Sequence, residues 1–120
     1  MLFSTVFFSS PSYAEWKKVV EGASGDTYYV DFERIRKHDG YIYFWRLNDC
    51  LTPTSSGRLS AKVYRQGDCK LFRYKSLSYS FHDEPIGMGS GVSDSPKNPE
   101  WTYPSPNSSG GATLKSVCNR

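Results

Sequence analysis

A run of aromatic and β-branched residues near the middle of the chain constrains the fold more than any other feature. It is the segment YIYFWRLN at residues 41–48, in which four of the eight side chains are aromatic rings. Such side chains pack well on a pleated surface, so the run predicts a β-strand. Its apolar residues fall on both faces of that strand, which indicates a central position in a sheet.

Shorter stretches of similar character lie on both sides of this run and are separated by turn-forming residues. We expect four further strands, at residues 15–20 (EWKKVV), 27–31 (TYYVD), 60–65 (SAKVYR) and 70–81 (KLFRYKSLSYSF). The tripeptide QGD at residues 66–68 is the expected hairpin turn between the last two strands. Between the strands at residues 27–31 and 41–48, residues 31–40 predict a short helical turn that is capped by Asp31 and ends at the Asp39-Gly40 pair.

The C-terminal sequence SSGGATLKSVCNR predicts a short helix. A capping serine, Ser108 or Ser109, precedes Leu114, Val117 and Cys118, which follow one another at helical i, i+3, i+4 spacing. This spacing places the three side chains on one helix face, which we expect to pack against the protein. The predicted fold class is therefore α+β, an antiparallel sheet of about five to six strands with one short C-terminal helix.

The composition fits one small globular domain. The chain has 120 residues, of which 38% are hydrophobic and 22% are charged, and chains of this length rarely divide into two domains. Residues 82–111 differ from the rest, because Pro, Gly, Ser and Asn dominate there. We expect this segment to be irregular and to be held to the core by Trp101 and Tyr103.

The N-terminal residues MLFSTVFFSSPSYA resemble the end of a secretory signal peptide. An apolar run at residues 2–8 is followed by small residues at Ser12 and Ala14, which is the pattern that a signal peptidase accepts. The sequence thus predicts a signal remnant at residues 1–14, cleavage after Ala14 and a mature domain at residues 15–120. The mature chain would reside in the periplasm or at the cell surface. No other apolar run approaches the length of a transmembrane helix.

Export places the three cysteines, Cys50, Cys69 and Cys118, in an oxidising compartment. One disulfide and one free thiol is the simplest arrangement of three cysteines, and three pairings are open. Asn48 and Asp49 supply no positive charge that would favour a Cys50 thiolate, so Cys50 is expected to be an unreactive thiol at a strand end.

The ordered motifs of the chain resemble a known family, the surface-adhesin protein E-like domain of bacterial envelope proteins. The resemblance rests on EWKKV, GDTYYVDFERIRK, GYIYFWRLND, GDCKLFRYKSLSYS, GMGSGV, the isolated Trp101 and the terminal LKSVC, and it covers residues 15–120. It implies an antiparallel sheet with a C-terminal helix tied to it by a disulfide between Cys69 and Cys118. It also implies an adhesin-like binding function. Cys50 departs from the family, whose members usually have an aromatic residue there.

Chain entropy also favours the pairing that the resemblance implies. A Cys69–Cys118 bridge closes a loop of about 50 residues, which stabilises a fold by roughly 4 kcal/mol. A Cys50–Cys69 bridge would leave the terminal helix untied, and so short a helix is marginal without packing. We therefore expect Cys69–Cys118, with Cys50 as the free thiol.

Six basic residues lie close together in the sequence and form the candidate binding patch: Arg58, Lys62, Arg65, Lys70, Arg73 and Lys75. Interleaved aromatic residues would suit nucleic acid, but an exported protein seldom meets it, and the net charge is only +3. A basic strand face that keeps a sheet edge soluble is one interpretation. A patch that binds an acidic protein segment or an envelope polyanion is the other.

The sequence contains no catalytic or cofactor-binding signature. HDE at residues 82–84 and GMGSGV at residues 87–92 are expected to be solvated loop and turn glycines, so we predict neither a metal site nor a cofactor. The sequence predicts an exported, non-enzymatic binding module. The alternatives are a structural or stress-related envelope protein without a dedicated ligand and, more remotely, a hydrolase that uses Cys50 or a site around His82.

Overall fold

The structure is a computed structural model that describes residues 14–120, so most of the predicted signal segment lies outside the described residues. These residues form one antiparallel sheet of seven strands and one α-helix. The elements are β1 (Trp16–Glu21), β2 (Thr27–Asp31), β3 (Arg36–His38), β4 (Tyr41–Asp49), β5 (Ser60–Asp68), β6 (Arg73–His82), β7 (Gly91–Asp94) and α1 (Ser109–Cys118). The expected α+β class is confirmed, with seven strands where five or six were predicted.

Strand β4 lies at the centre of the sheet, as its composition predicts. The strand order is β1-β2-β4-β5-β6-β7, and β3 pairs with β4 beside this path. Alternation along β4 directs Ile42 and Phe44 to the side that α1 covers. There they form the core with Val30, Leu114 and Val117.

Helix α1 begins at the predicted cap and packs with the predicted stripe. The Ser108 hydroxyl accepts a hydrogen bond from the Gly111 N–H at 3.0 Å. Leu114 and Val117 are completely buried. The close approach of α1 favours a glycine in β5, because a Cβ atom at Gly67 would lie 2.9 Å from Ile42 Cγ2 and 3.0 Å from Leu114 Cδ1.

A disulfide joins Cys69, after β5, to Cys118, the last residue of α1, which confirms the expected pairing. The Cα atoms of the two residues are 5.7 Å apart, and 49 positions separate them in sequence. The bond ties the C-terminal helix to the turn between β5 and β6. Cys50 is the free cysteine of the described residues and is half-buried.

The hairpin turn between β5 and β6 does not lie at residues 66–68, as predicted, but at residues 69–72. The three residues QGD extend β5, since Gly67 pairs with Tyr74 and Asp68 with Arg73. The turn forms later because the Asp68 carboxylate accepts hydrogen bonds from the N–H groups of Lys70 and Leu71, at 3.1 and 3.3 Å.

Two strands lie where the sequence predicted other structure. The helical turn after Asp31 is shorter than expected: the Asp31 carboxylate caps a 3₁₀ turn at Phe32–Arg34 through the Glu33 N–H, and then β3 begins. Strand β7 lies in the segment expected to be irregular and pairs with β6, which completes the sheet at that edge. Neither strand has an apolar alternation that would reveal it, because all the residues of both are exposed.

Removal of the disulfide should destabilise the protein strongly. In the double variant Cys69→Ser/Cys118→Ser, the loop of 49 positions is no longer closed in the unfolded state, and the loss should be about 4 kcal/mol. Urea unfolding monitored by circular dichroism measures the difference, and Cys50→Ser, which removes no bridge, is the control. A double variant with the same free energy of unfolding as the control would contradict this account of α1.

Candidate binding face

The side of the sheet opposite α1, which we call the helix-free face, presents a row of aromatic rings. Because Ile42 and Phe44 point to α1, their neighbours Tyr43 and Trp45 point to the helix-free face. Tyr64 of β5 lies opposite Trp45, and its ring centroid is 4.9 Å from that of Trp45 and 6.3 Å from that of Tyr43. All three rings remain partly exposed.

A second cluster on this face combines one tryptophan with two cations. Trp101 packs against Tyr41, the first residue of β4, with ring centroids 5.7 Å apart. The Arg73 guanidinium lies 4.0 Å from the centroid of the Trp101 ring, and the Lys75 ammonium lies 4.6 Å from it. Arg73 Nη1 also donates a hydrogen bond to the Tyr103 hydroxyl at 3.1 Å. Trp101 thus fixes the segment after β7 to the helix-free face.

An ion pair holds Arg73 in this position. Arg73 Nε donates to Asp68 Oδ2 at 2.8 Å, directly across the β5–β6 pair. Burial by itself would raise the pKa of the Asp68 carboxyl, but the hydrogen bonds from Arg73 and from the N–H groups of Leu71 and Lys70 outweigh it, and the pKa is lowered overall. Asp68 therefore stays ionised and balances the charge of Arg73, whereas Lys75 adds a positive charge to the face.

The six basic residues of the predicted patch do not form one surface. Lys62, Arg73 and Lys75 lie on the helix-free face, and Lys70 is exposed in the adjoining turn. The other two lie on the α1 side of the sheet: Arg65, only 8% exposed, stacks on Tyr74, and Arg58 stacks on Phe81. The structure thus brings half of the predicted patch onto one face.

Two open depressions flank the aromatic row. One, of about 260 Å³, lies between β1 and β6 and is lined by Ala14, Trp16, Asp31, Arg34, Trp45, Lys62 and Ser80. The other, of about 360 Å³, lies beside β3 and is lined by Arg36, Lys37, His38, Tyr43 and Tyr64. Both combine aromatic walls with cationic side chains, so the helix-free face is concave in two places as well as charged.

The remaining sequence candidates lie apart from this face. Cys50 follows the last residue of β4, and burial, followed by the negative charges of Asp26 and Asp49, raises the pKa of its thiol. His82 is buried at the end of β6 rather than in a solvated loop, and its Nε2 shares a hydrogen bond with the Ser80 hydroxyl at 2.8 Å. Within residues 14–120, no group of three or more His, Cys, Asp or Glu side chains is arranged to hold a metal ion.

The sequence does not indicate that aromatic side chains belong to the candidate binding face. The run YIYFWRLN predicts a central strand but no binding role for Tyr43 or Trp45, and Trp101 is predicted only to hold residues 82–111 to the core. Alternation within YIYFWRLN places Tyr43 and Trp45 on the opposite face from Ile42. Only the position of α1, however, shows which of the two faces is covered. Nothing in the local sequence of Trp101 indicates that it packs beside Arg73.

The sequence profile of the Surface-adhesin protein E family matches residues 16–119, almost the whole of the described chain. The chain belongs to this family. The comparison with curated proteins found no match.

Solved structures of Haemophilus influenzae protein E share the fold of this family member. Crystal form II superposes with a TM-score of 0.65 at 17% sequence identity, with 96% of this chain and 97% of that chain covered. The selenomethionine form gives a TM-score of 0.63 at 17% identity, with 94% of each chain covered. At this identity the likeness concerns the fold. Among the residues described here, the helix is neither long nor apolar enough to cross a membrane.

The Asp68–Arg73 pair should make stability depend on acid pH. Because the pKa of Asp68 is lower in the folded chain than in the unfolded one, its contribution is present above about pH 4 and is lost as the pH falls through the folded pKa. Thermal unfolding between pH 2.5 and 6 should show a flatter profile for Asp68→Asn than for the wild type. Two parallel profiles would mean that Arg73 does not lower the pKa of Asp68 in the folded state.

Cys50 should react slowly with alkylating reagents. Its raised pKa means that less thiolate is present at neutral pH than in a small reference thiol. The rate of carbamidomethylation, followed by mass spectrometry from pH 7 to 10, should reach its half-maximum at a higher pH in the folded chain than in the urea-unfolded chain. A folded chain that reacts at the lower pH would indicate an activated thiol.

Proposed function

We propose that this chain is an exported, non-enzymatic, adhesin-like module that binds an acidic protein segment on the helix-free face of its sheet. The observation that carries the proposal is the cluster of Arg73 and Lys75 around Trp101, next to the row of Tyr43, Tyr64 and Trp45. Trp, Tyr and Arg are the residues that most often dominate binding energy at protein interfaces. Membership of an adhesin family supports a binding role.

The charges on the face favour an acidic partner. Within residues 14–120, Lys62 and Lys75 make no ion pair, whereas Arg73 is balanced by Asp68. The two ammonium groups are therefore available to the carboxylates of a partner, which they would steer and orient. The aromatic row would supply the apolar contact area at low cost in side-chain entropy.

Export is part of the proposal. We assign residues 1–14 to a signal remnant that is cleaved after Ala14 and residues 15–120 to the mature domain. The disulfide between Cys69 and Cys118 suits an oxidising compartment, and family membership suits a surface location. The periplasm and the cell surface are both compatible with this assignment.

Three other functions compete with this one. An envelope polyanion could bind the same face, because a polyanion is negatively charged as an acidic protein segment is. A structural or stress-related envelope protein would use the fold without any ligand. A hydrolase would need an activated nucleophile, but burial and the negative charges of Asp26 and Asp49 disfavour the Cys50 thiolate.

Charge reversal on the helix-free face should weaken binding to an acidic peptide. The variant is Lys62→Glu/Lys75→Glu, and the matched control is Lys17→Glu/Lys97→Glu, which changes the net charge equally at two exposed positions away from the face. Biolayer interferometry with an immobilised polyglutamate peptide and, separately, with heparin measures the affinity. We expect a loss of about tenfold for the face variant on the peptide and little for the control.

The two probes distinguish the competing functions. Loss on heparin alone would replace the acidic segment with a polyanion as the occupant. Equal losses for the face variant and its control would show non-specific charge attraction. An absence of binding by the wild type to either probe would contradict the proposal and favour the structural role. Melting temperatures of all variants verify that they remain folded.

A further inference from the structure

Two arginines are buried side by side on the α1 side of the sheet, away from the helix-free face. Arg46 of β4 is 4% exposed and Arg65 of β5 is 8% exposed. Arg46 lies opposite Val63 in the β4–β5 pair, so Arg65, two residues further along β5, is its diagonal neighbour on the same face. Within residues 14–120, neither side chain forms an ion pair with a carboxylate.

Aromatic rings form the walls of this arginine pair. The Arg46 guanidinium lies 4.3 Å from the centroid of the Tyr28 ring, and the Arg65 guanidinium lies 4.0 Å from that of Tyr74. Stacking of this kind stabilises a desolvated cation. A ring face, however, accepts no in-plane hydrogen bond from a guanidinium N–H group.

The first turn of α1 lies next to this arginine pair. Arg46 Nη2 donates a hydrogen bond to the hydroxyl of Ser109, the first residue of the helix, at 3.1 Å. A Cβ atom on Gly110 would lie 3.1 Å from the Tyr74 hydroxyl, so the helix start also adjoins the ring on which Arg65 stacks. The N-terminus of a ten-residue helix has a partial positive charge, which adds to those of the two guanidinium groups.

Several polar atoms of this pair have no partner. Arg46 Nε, Arg65 Nε and Arg65 Nη1 are buried and find no hydrogen-bond acceptor among the described residues. Buried charges in proteins are normally paired and hydrogen-bonded, because desolvation without compensation is costly. Burial, followed by the nearby charge of Arg46, lowers the pKa of Arg65 to about 9, so Arg65 still has its charge at neutral pH.

We propose that Arg46, Arg65 and the first turn of α1 form a binding site for a small inorganic anion. The unpartnered guanidinium N–H groups would donate charge-assisted hydrogen bonds to the anion, and the helix N-terminus would favour its negative charge. The anion would connect β4, β5 and α1 and would compensate both cations. The site lies on the opposite side of the sheet from the proposed binding face and does not depend on that face.

Anion-dependent stability tests the site directly. The disulfide-bonded mature chain is unfolded thermally at pH 7 in sodium gluconate, whose anion is larger than chloride or phosphate, and gluconate is then replaced by chloride or by phosphate at constant ionic strength. The wild type should show a saturating rise in melting temperature, of about 4 °C or more, with at least one of these ions. The ion that produces the rise identifies the preferred ligand.

Arginine variants assign the effect to this site. Arg65→Met should abolish the rise, and in gluconate its melting temperature should equal or exceed that of the wild type, because an uncompensated buried charge is removed. The matched control is Arg58→Met, which removes a guanidinium that stacks on Phe81 outside the site. This control should retain the full response to the anion.

Two results would overturn the proposal. One is a wild-type melting temperature that is the same in gluconate, chloride and phosphate. The other is an Arg65→Met response as large as that of the wild type. If Arg65→Met does not fold, Arg46→Met takes its place, and broadening of the chloride NMR line by the wild type, but not by the urea-unfolded chain, decides the chloride case.

Discussion

The structure depends on the contact between α1 and the centre of the sheet. Leu114 and Val117 are fully buried against Val30, Ile42 and Phe44, and partly buried side chains from other elements, among them Phe32, Ile35 and Phe72, pack around this core. A ten-residue helix is too short to be stable alone, so it needs both this packing and the covalent bond at its end. The disulfide at Cys118 limits how far the helix can move from β4.

Coverage by α1 makes the two faces of the sheet chemically different. On the covered side, Ile42 and Phe44 form the core, and further along the same face Arg46 and Arg65 are buried next to the start of the helix. On the other side, aromatic rings and lysines remain partly exposed because α1 does not cover them. The proposed binding face and the proposed anion site thus both follow from the position of one helix.

Much of the fold could be predicted because its signals are local. The density of rings in β4, the capping serine of α1 and the spacing of Leu114 and Val117 each depend on a few neighbouring residues. The site was predicted less well. Arg65 and Lys62 are close in sequence, yet Arg65 is buried beside Tyr74 and Lys62 lies on the opposite face of the sheet. The β5–β6 turn also lies after Asp68 rather than at Gly67, because N–H groups of the turn donate hydrogen bonds to the Asp68 carboxylate.

By itself, the sequence determined the class of fold, the central strand and the terminal helix, and the family resemblance added the disulfide partners. Local propensity and periodicity contain that information, since they act over a few residues. Only the tertiary structure decided which side of each strand α1 covers, that Trp101 lies between Arg73 and Tyr41, and that Arg46 and Arg65 are buried together. These facts depend on contacts between residues far apart in sequence, and a strand's two faces become distinct only when something packs on one of them.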